Sequence, residues 1–183
     1  MDLFLIKHKL TNDFPLAQEA TVPHPQQAAV MVILYPKLKT THILMTKRSM
    51  HLKYHAGEIS FPGGMFEEQD EDLLVTAIRE TKEELNFQVA PENVLGRLPV
   101  VTTRLGFEIT PFVSVLPSAP EYAPAVNEVE EVLEMPFTSL LSTQQRDVRN
   151  KSPEEGVIYW FQHHRIWGAS AKILKQIGRL SSF

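Results

Sequence analysis

Apolar positions change their period along this chain, and each change predicts an element. Ala28 to Pro36 (AAVMVILYP) is a continuous apolar run, the pattern of a strand buried on both faces. Thr41 to Thr46 predicts a second strand after a short polar turn. Glu58 to Phe61 predicts a short extended piece, stopped by Pro62-Gly63-Gly64. From Asp70 to Phe87 the spacing turns helical, with Leu73, Leu74, Ala77, Ile78 and Leu85 on one stripe. Val94–Val101, Glu108–Leu116 and Val129–Met135 predict further strands, with a Pro/Ala loop from Ser118 to Asn127. Pro136–Leu141 predicts a short helix. Gly156–Phe161 and Arg165–Trp167 predict a hairpin turning at His163-His164, and Ala169–Leu180 a closing amphipathic helix.

Residues 1–24 read as a lead-in segment and residues 25–183 as a single domain, which a length of 183 residues suits. Strands and helices alternate without the glycine fingerprint of a dinucleotide-binding βαβ unit. The expected class is α/β, with a mixed sheet covered by helices.

Composition narrows the chemistry. There is no cysteine, which excludes disulfides, thiol nucleophiles and thiolate zinc sites. Any metal must be held by oxygen or imidazole ligands. The net charge of −4 offers no general footprint for nucleic acid, and no stretch reaches the ~18 apolar residues of a membrane span. The N-terminus does not read as a secretory signal. A cytoplasmic enzyme acting on a small molecule is the expectation, with room for a homodimer.

The acids are not spread evenly. Glu80, Glu83 and Glu84 stand at i, i+3 and i+4 of the predicted helix and share one face. Their mutual repulsion destabilises the helix unless something offsets it, and hard divalent cations such as Mg²⁺ or Mn²⁺ suit clustered carboxylates. A solvated acidic face with surface pairs to Arg79 and Lys82 is the plainer alternative. Gly63 and Gly64, just upstream, allow a tight turn and a close approach of backbone to a ligand.

This segment resembles the Nudix box, G-x5-E-x7-R-E-U-x-E-E-x-G-U, where U is bulky and aliphatic. The matching residues are Gly64, Glu71, Arg79, Glu80, Glu83, Glu84 and Phe87. Six residues separate Gly64 from Glu71 in place of five, Thr81 stands at an aliphatic position, and Asn86 replaces the late glycine. The resemblance implies a Nudix-fold α/β/α sandwich that hydrolyses a diphosphate linked to another group, with Glu80, Glu83 and Glu84 as metal ligands. It implies that Arg79 orients them and that Glu71 pairs with Arg79. Glu83 is the candidate base within the box, and Glu128, at the end of the Pro/Ala loop, the candidate outside it.

Leu44 to Gly64 resembles a second pattern, L-L-T-x-R-[SA]-x3-R-x3-G-x3-F-P-G-G, of the Nudix subgroup acting on coenzyme A. Leu44, Thr46, Arg48, Ser49, Gly57 and Phe61 to Gly64 match, Met45 replaces the second Leu, and Lys53 replaces the second Arg. The resemblance implies hydrolysis of coenzyme A to 3′,5′-ADP and 4′-phosphopantetheine. Arg48 and Lys53 would face phosphates beside Gly63 and Gly64, with Lys47, His51 and His55 adding to a local basic cluster. Other nucleoside diphosphate derivatives (ADP-ribose, NADH, nucleotides) and a non-catalytic nucleotide-binding module are the alternatives. Trp160, Phe161 and Trp167 are candidates to stack on adenine or to fill the core.

Overall fold

The computed structural model describes residues 3–16, 26–149 and 156–180. In chain order the elements are α1 (Leu3–Asp13), β1 (Gln27–Lys37), β2 (Thr40–Arg48), β3 (Ile59–Ser60), β4 (Gly63–Met65), α2 (Leu73–Leu85), β5 (Val94–Arg97) and β6 (Val101–Thr102). Then follow β7 (Glu108–Val115), β8 (Val129–Pro136), α3 (Phe137–Ser142), β9 (Gln145–Arg146), β10 (Val157–Phe161), β11 (His164–Ile166) and α4 (Gly168–Arg179).

The long apolar run becomes β1, and the alternation of a strand explains why it is apolar throughout. Ala29, Met31, Ile33 and Tyr35 enter one core with Ala77 and Leu85 of α2. Val32 and Leu34 enter the other, with Ile6 and Leu10 of α1 and Ile173, Leu174 and Ile177 of α4. Helices therefore cover both faces of one mixed sheet, giving the expected α/β/α sandwich.

β1 and β2 form an antiparallel hairpin with Lys37 opposite Thr40. Its two turn residues, Leu38 and Lys39, both have positive φ, 49° and 63°, as the right-handed strand twist favours. β7 runs parallel to β1 on its other edge, and β8 pairs antiparallel with β2. The N-terminal half of β1 parts from β2 and takes β4 as its neighbour, Val30 opposite Gly63. β3 fills the edge of β2 left open there. This handover of partners carries the Pro62-Gly63-Gly64 turn across the end of the sheet.

Several expectations are corrected. The lead-in contains α1, whose Ile6 and Leu10 are fully buried, and the Arg97 N–H donates to the Phe14 carbonyl at 3.0 Å just after it. Residues 17–24 of that segment lie outside the described residues. The glycine turn is itself a strand, β4. The predicted strand Val94–Val101 divides into β5 and β6 around Pro99, which lacks an N–H for the ladder. His164 is a buried strand residue, and the turn lies at Gln162, with φ 54°, and His163.

Candidate active site

α2 is closed at both ends by its own sequence. Asp72 accepts from the Val75 N–H at 2.8 Å as the N-cap. Asn86 takes the left-handed conformation, φ 49° and ψ 33°, and its N–H donates to the Lys82 carbonyl, so it serves in place of the late glycine. Thr81 is fully buried, and its hydroxyl donates to the Ala77 carbonyl at 2.7 Å. With that hydroxyl satisfied, a Thr can occupy the aliphatic position of the box.

The two glycines of the turn answer to different neighbours. A Cβ on Gly63 would lie 2.3 Å from the Ala29 carbonyl oxygen and 2.6 Å from the Val30 Cα, at φ 149°. Only glycine lets β4 sit against β1 there. A Cβ on Gly64 would lie 2.4 Å from the carboxyl carbon of Glu80. The turn backbone is pressed directly onto an acid of α2.

Arg79 is the hub of the acids. Its Nε and Nη2 donate to the two oxygens of Asp70, each at 2.9 Å, and Nη2 also donates to the Met65 carbonyl at 3.1 Å. Nη1 reaches Glu80 Oε1 at 2.9 Å and Glu83 Oε2 at 3.0 Å. The expected partner, Glu71, is replaced by Asp70. Five residues separate Asp70 from Gly64, and Thr76 Oγ1 and the Glu67 N–H also donate to it. The extra residue of the turn is thus absorbed between the buried acid and the helix. Arg79 holds the Asp70 carboxyl below the usual carboxylate range, against the opposing effect of burial.

Glu84 is 2 % exposed. Burial pushes its carboxyl up to about 8, opposed by the nearby Arg48 charge and reinforced by Glu80 and Glu128. Arg48 Nη1 lies 3.5 Å from Glu84 Oε1, which joins the upstream motif to the box. Glu84 Oε2 and Arg48 Nε are buried without a hydrogen-bond partner. Glu80 is also raised, by burial first, with Arg79 opposing and Glu83 and Glu128 reinforcing. Glu128, exposed at the end of its loop, is therefore within electrostatic reach of two acids of α2. Its carbonyl accepts the Ser49 N–H at 2.8 Å, so the Arg48 loop and the Glu128 loop meet.

The remaining predicted residues stand apart. Lys53 is exposed, with Nζ 5.2 Å from the Tyr54 ring centroid. Lys47 pairs with Glu130 at 2.6 Å, and His55 lies 3.1 Å from Glu58. Trp160 and Phe161 are half-buried. Trp167, 43 % exposed, lies under Arg165.

Among the described residues, no three His, Asp or Glu side chains converge as a ready metal cage. Glu80 and Glu83 turn to Arg79, and Glu84 faces Arg48. The donor set still fits a hard divalent cation. It consists of carboxylate oxygens, and buried Glu84 Oε2 is an acceptor lacking a partner.

A glycine turn laid against an acidic helix, in a sheet covered on both faces, is the arrangement that the resemblance to the Nudix box implies. The NUDIX domain family matches residues 25–175, and the chain belongs to the Nudix hydrolase family. It is 35% identical to a protein named "Uncharacterized Nudix hydrolase NudL" from Photorhabdus laumondii subsp. laumondii, over 84% of each chain. It is 30% identical to one of the same name from Escherichia fergusonii, over 97% of this chain and 92% of that one. In fold it is similar to a MutT/nudix family protein from Enterococcus faecalis, at TM-score 0.61 and 14% identity, covering 99% of this chain and 75% of that one. It is also similar to the NUDIX domain of Shewanella oneidensis NrtR complexed with ADP ribose, at TM-score 0.53 and 20% identity, covering 74% and 85%. Among the described residues, no helix is long and apolar enough to cross a membrane.

Proposed function

We propose that this chain hydrolyses the pyrophosphate bond of coenzyme A or its derivatives, yielding 3′,5′-ADP and 4′-phosphopantetheine. Glu80, Glu83 and Glu84 are the residues that would hold Mg²⁺ or Mn²⁺. A cation bound there would neutralise diphosphate charge and acidify a water. Glu128 takes the proton of the attacking water, with Glu83 the alternative base within the helix. Arg79 holds Glu80 and Glu83 in place, Gly63 and Gly64 bring backbone against the acids, and Arg48 and Lys53 face substrate phosphates. Water adds at phosphorus, the bridging P–O bond breaks, and the bridge oxygen leaves with the departing phosphate.

The observation that carries this reading is the approach of Arg48 to Glu84 at 3.5 Å. It brings the segment resembling the coenzyme A pattern onto α2, the helix whose acids would hold the metal. The structure of the NrtR relative holds ADP ribose, which makes another nucleoside diphosphate derivative the second reading.

The test is turnover of coenzyme A, ADP-ribose, NADH and nucleoside triphosphates by purified protein, each with Mg²⁺ and with Mn²⁺. Fastest turnover of coenzyme A supports the proposal. Rapid turnover of another substrate alone overturns the substrate and keeps the reaction. Glu83→Gln and Glu84→Gln should each lower kcat by about 10²-fold or more. Unchanged turnover in both would remove their assigned roles.

A further inference from the structure

We propose that Glu134 is a positioning residue for this reaction: through Tyr122 it fixes the loop that carries Glu128 to α2. The inference rests on the reading that Glu128 acts on the attacking water.

Glu134 lies on β8, and its two oxygens do different things. Oε2 accepts from the Tyr35 hydroxyl at 2.6 Å and from Lys37 Nζ at 2.7 Å, both on β1. Oε1 accepts from the Tyr122 hydroxyl at 2.9 Å. One oxygen is thus bound to the sheet and the other to the loop between β7 and β8. Such charge-assisted bonds are the stronger kind, and they hold Glu134 ionised and below the usual carboxylate range despite the burial that opposes it.

The loop needs the tether. Residues 117–125 contain no helix or strand, though Pro117, Pro120 and Pro124 restrict their backbone angles. The Ala123 N–H donates to the Leu85 carbonyl, and the Ala125 N–H to the Glu84 carbonyl, each at 2.9 Å. These carbonyls belong to the last turn of α2, where helical partners run out. The loop therefore caps the helix at the backbone of Glu84. It then closes a turn in which the Glu128 and Val129 N–H groups both donate to the Ala125 carbonyl. A shift of the loop moves Glu128 relative to Glu80 and Glu84, and small misplacements of a reacting group cost large factors in rate.

The Tyr122 ring packs against the α2 core cluster, so Tyr122→Phe removes the tether and leaves the packing. The substrate is whichever pyrophosphate the wild-type protein turns over fastest, with Mn²⁺. Tyr122→Phe should lower kcat about tenfold and change KM by less than about twofold. Combined with Glu128→Gln, it should add no loss beyond that of Glu128→Gln alone. Glu134→Gln provides a second variant with the same expectation, and circular dichroism establishes that each is folded. Losses that multiply in the double variant, or kcat unchanged in both Tyr122→Phe and Glu134→Gln, overturn the positioning role. If Glu128→Gln alone leaves kcat unchanged, the reading of Glu128 falls and this role with it.

Discussion

The Arg79 guanidinium grips both oxygens of Asp70, Nε to Oδ1 and Nη2 to Oδ2, each at 2.9 Å. The same guanidinium holds Glu80 and Glu83 with Nη1, so the pair orients the acids of α2 from a fixed, buried anchor. Asp70→Asn keeps the shape and loses the charge. It should cost about 2 kcal/mol at pH 7 and lower turnover as well. Asp70 has a depressed pKa in the folded state. Its stabilisation is present above the ordinary carboxylate value and is lost as pH falls through the depressed one. Thermal midpoints should therefore separate wild type from Asp70→Asn at pH 7 and converge as pH falls below the ordinary carboxylate range. A constant gap across that range would show that the charge contributes nothing.

Adjacent glycines should fail in different ways. At Gly63 an added methyl group meets the backbone of Ala29 and Val30 at a positive φ, and backbone cannot yield. Gly63→Ala should destabilise the fold by about 2–3 kcal/mol or more. At Gly64 the methyl group meets the end of the Glu80 side chain, which can swing aside. Gly64→Ala should cost less than about 1 kcal/mol in a denaturant titration, yet lower kcat by about tenfold or more. Equal stability losses in the two variants would contradict this division.

What was legible in the sequence follows from where its signals were local. β1 and α2 were readable because each period is written within its own segment, and Asn86 was readable as a helix stop. α1 was not, since its fully buried residues are only Ile6 and Leu10 and its burial depends on distant β5. β4 was hidden because glycines signal a turn, whereas its pairing is imposed by β1. Asp70 was passed over for Glu71 because spacing counted back from Arg79 misses the residue absorbed between Asp70 and α2. Arg48 and Lys53 looked equivalent in a motif. Only the bulge in β2 between Lys47 and Arg48 and the packing of α2 separate a half-buried arginine facing Glu84 from an exposed lysine.

Asn86 should report its own geometry. At φ 49° an alanine pays the left-handed penalty, so Asn86→Ala should cost about 1 kcal/mol. Asn86→Gly should be neutral to slightly stabilising. Chemical denaturation of the two variants measures the difference, and identical midpoints would exclude a left-handed cap in solution.

Arg48 and Glu84 form the pair whose stability and function pull in opposite directions. Glu84 is a buried carboxylate with one orphaned oxygen, facing Arg48 at 3.5 Å, so its charge costs the metal-free fold. Above pH 8, where Glu84 is ionised, removing Arg48 leaves that charge without its counter-ion, and Arg48→Ala should cost about 3 kcal/mol without metal. Glu84→Gln removes the charge and should leave the metal-free protein as stable as wild type or more so, by up to about 1 kcal/mol. Joining the two should recover most of the Arg48→Ala loss, because the second change removes what the first exposed. Mn²⁺ adds the functional half. A cation that binds only the folded state raises the melting temperature, so saturating Mn²⁺ should raise that of wild type and of Arg48→Ala, and raise Glu84→Gln little. If Glu84→Gln destabilises the metal-free protein by as much as Arg48→Ala does, the pair is a structural salt bridge and Glu84 is not held in reserve for a metal.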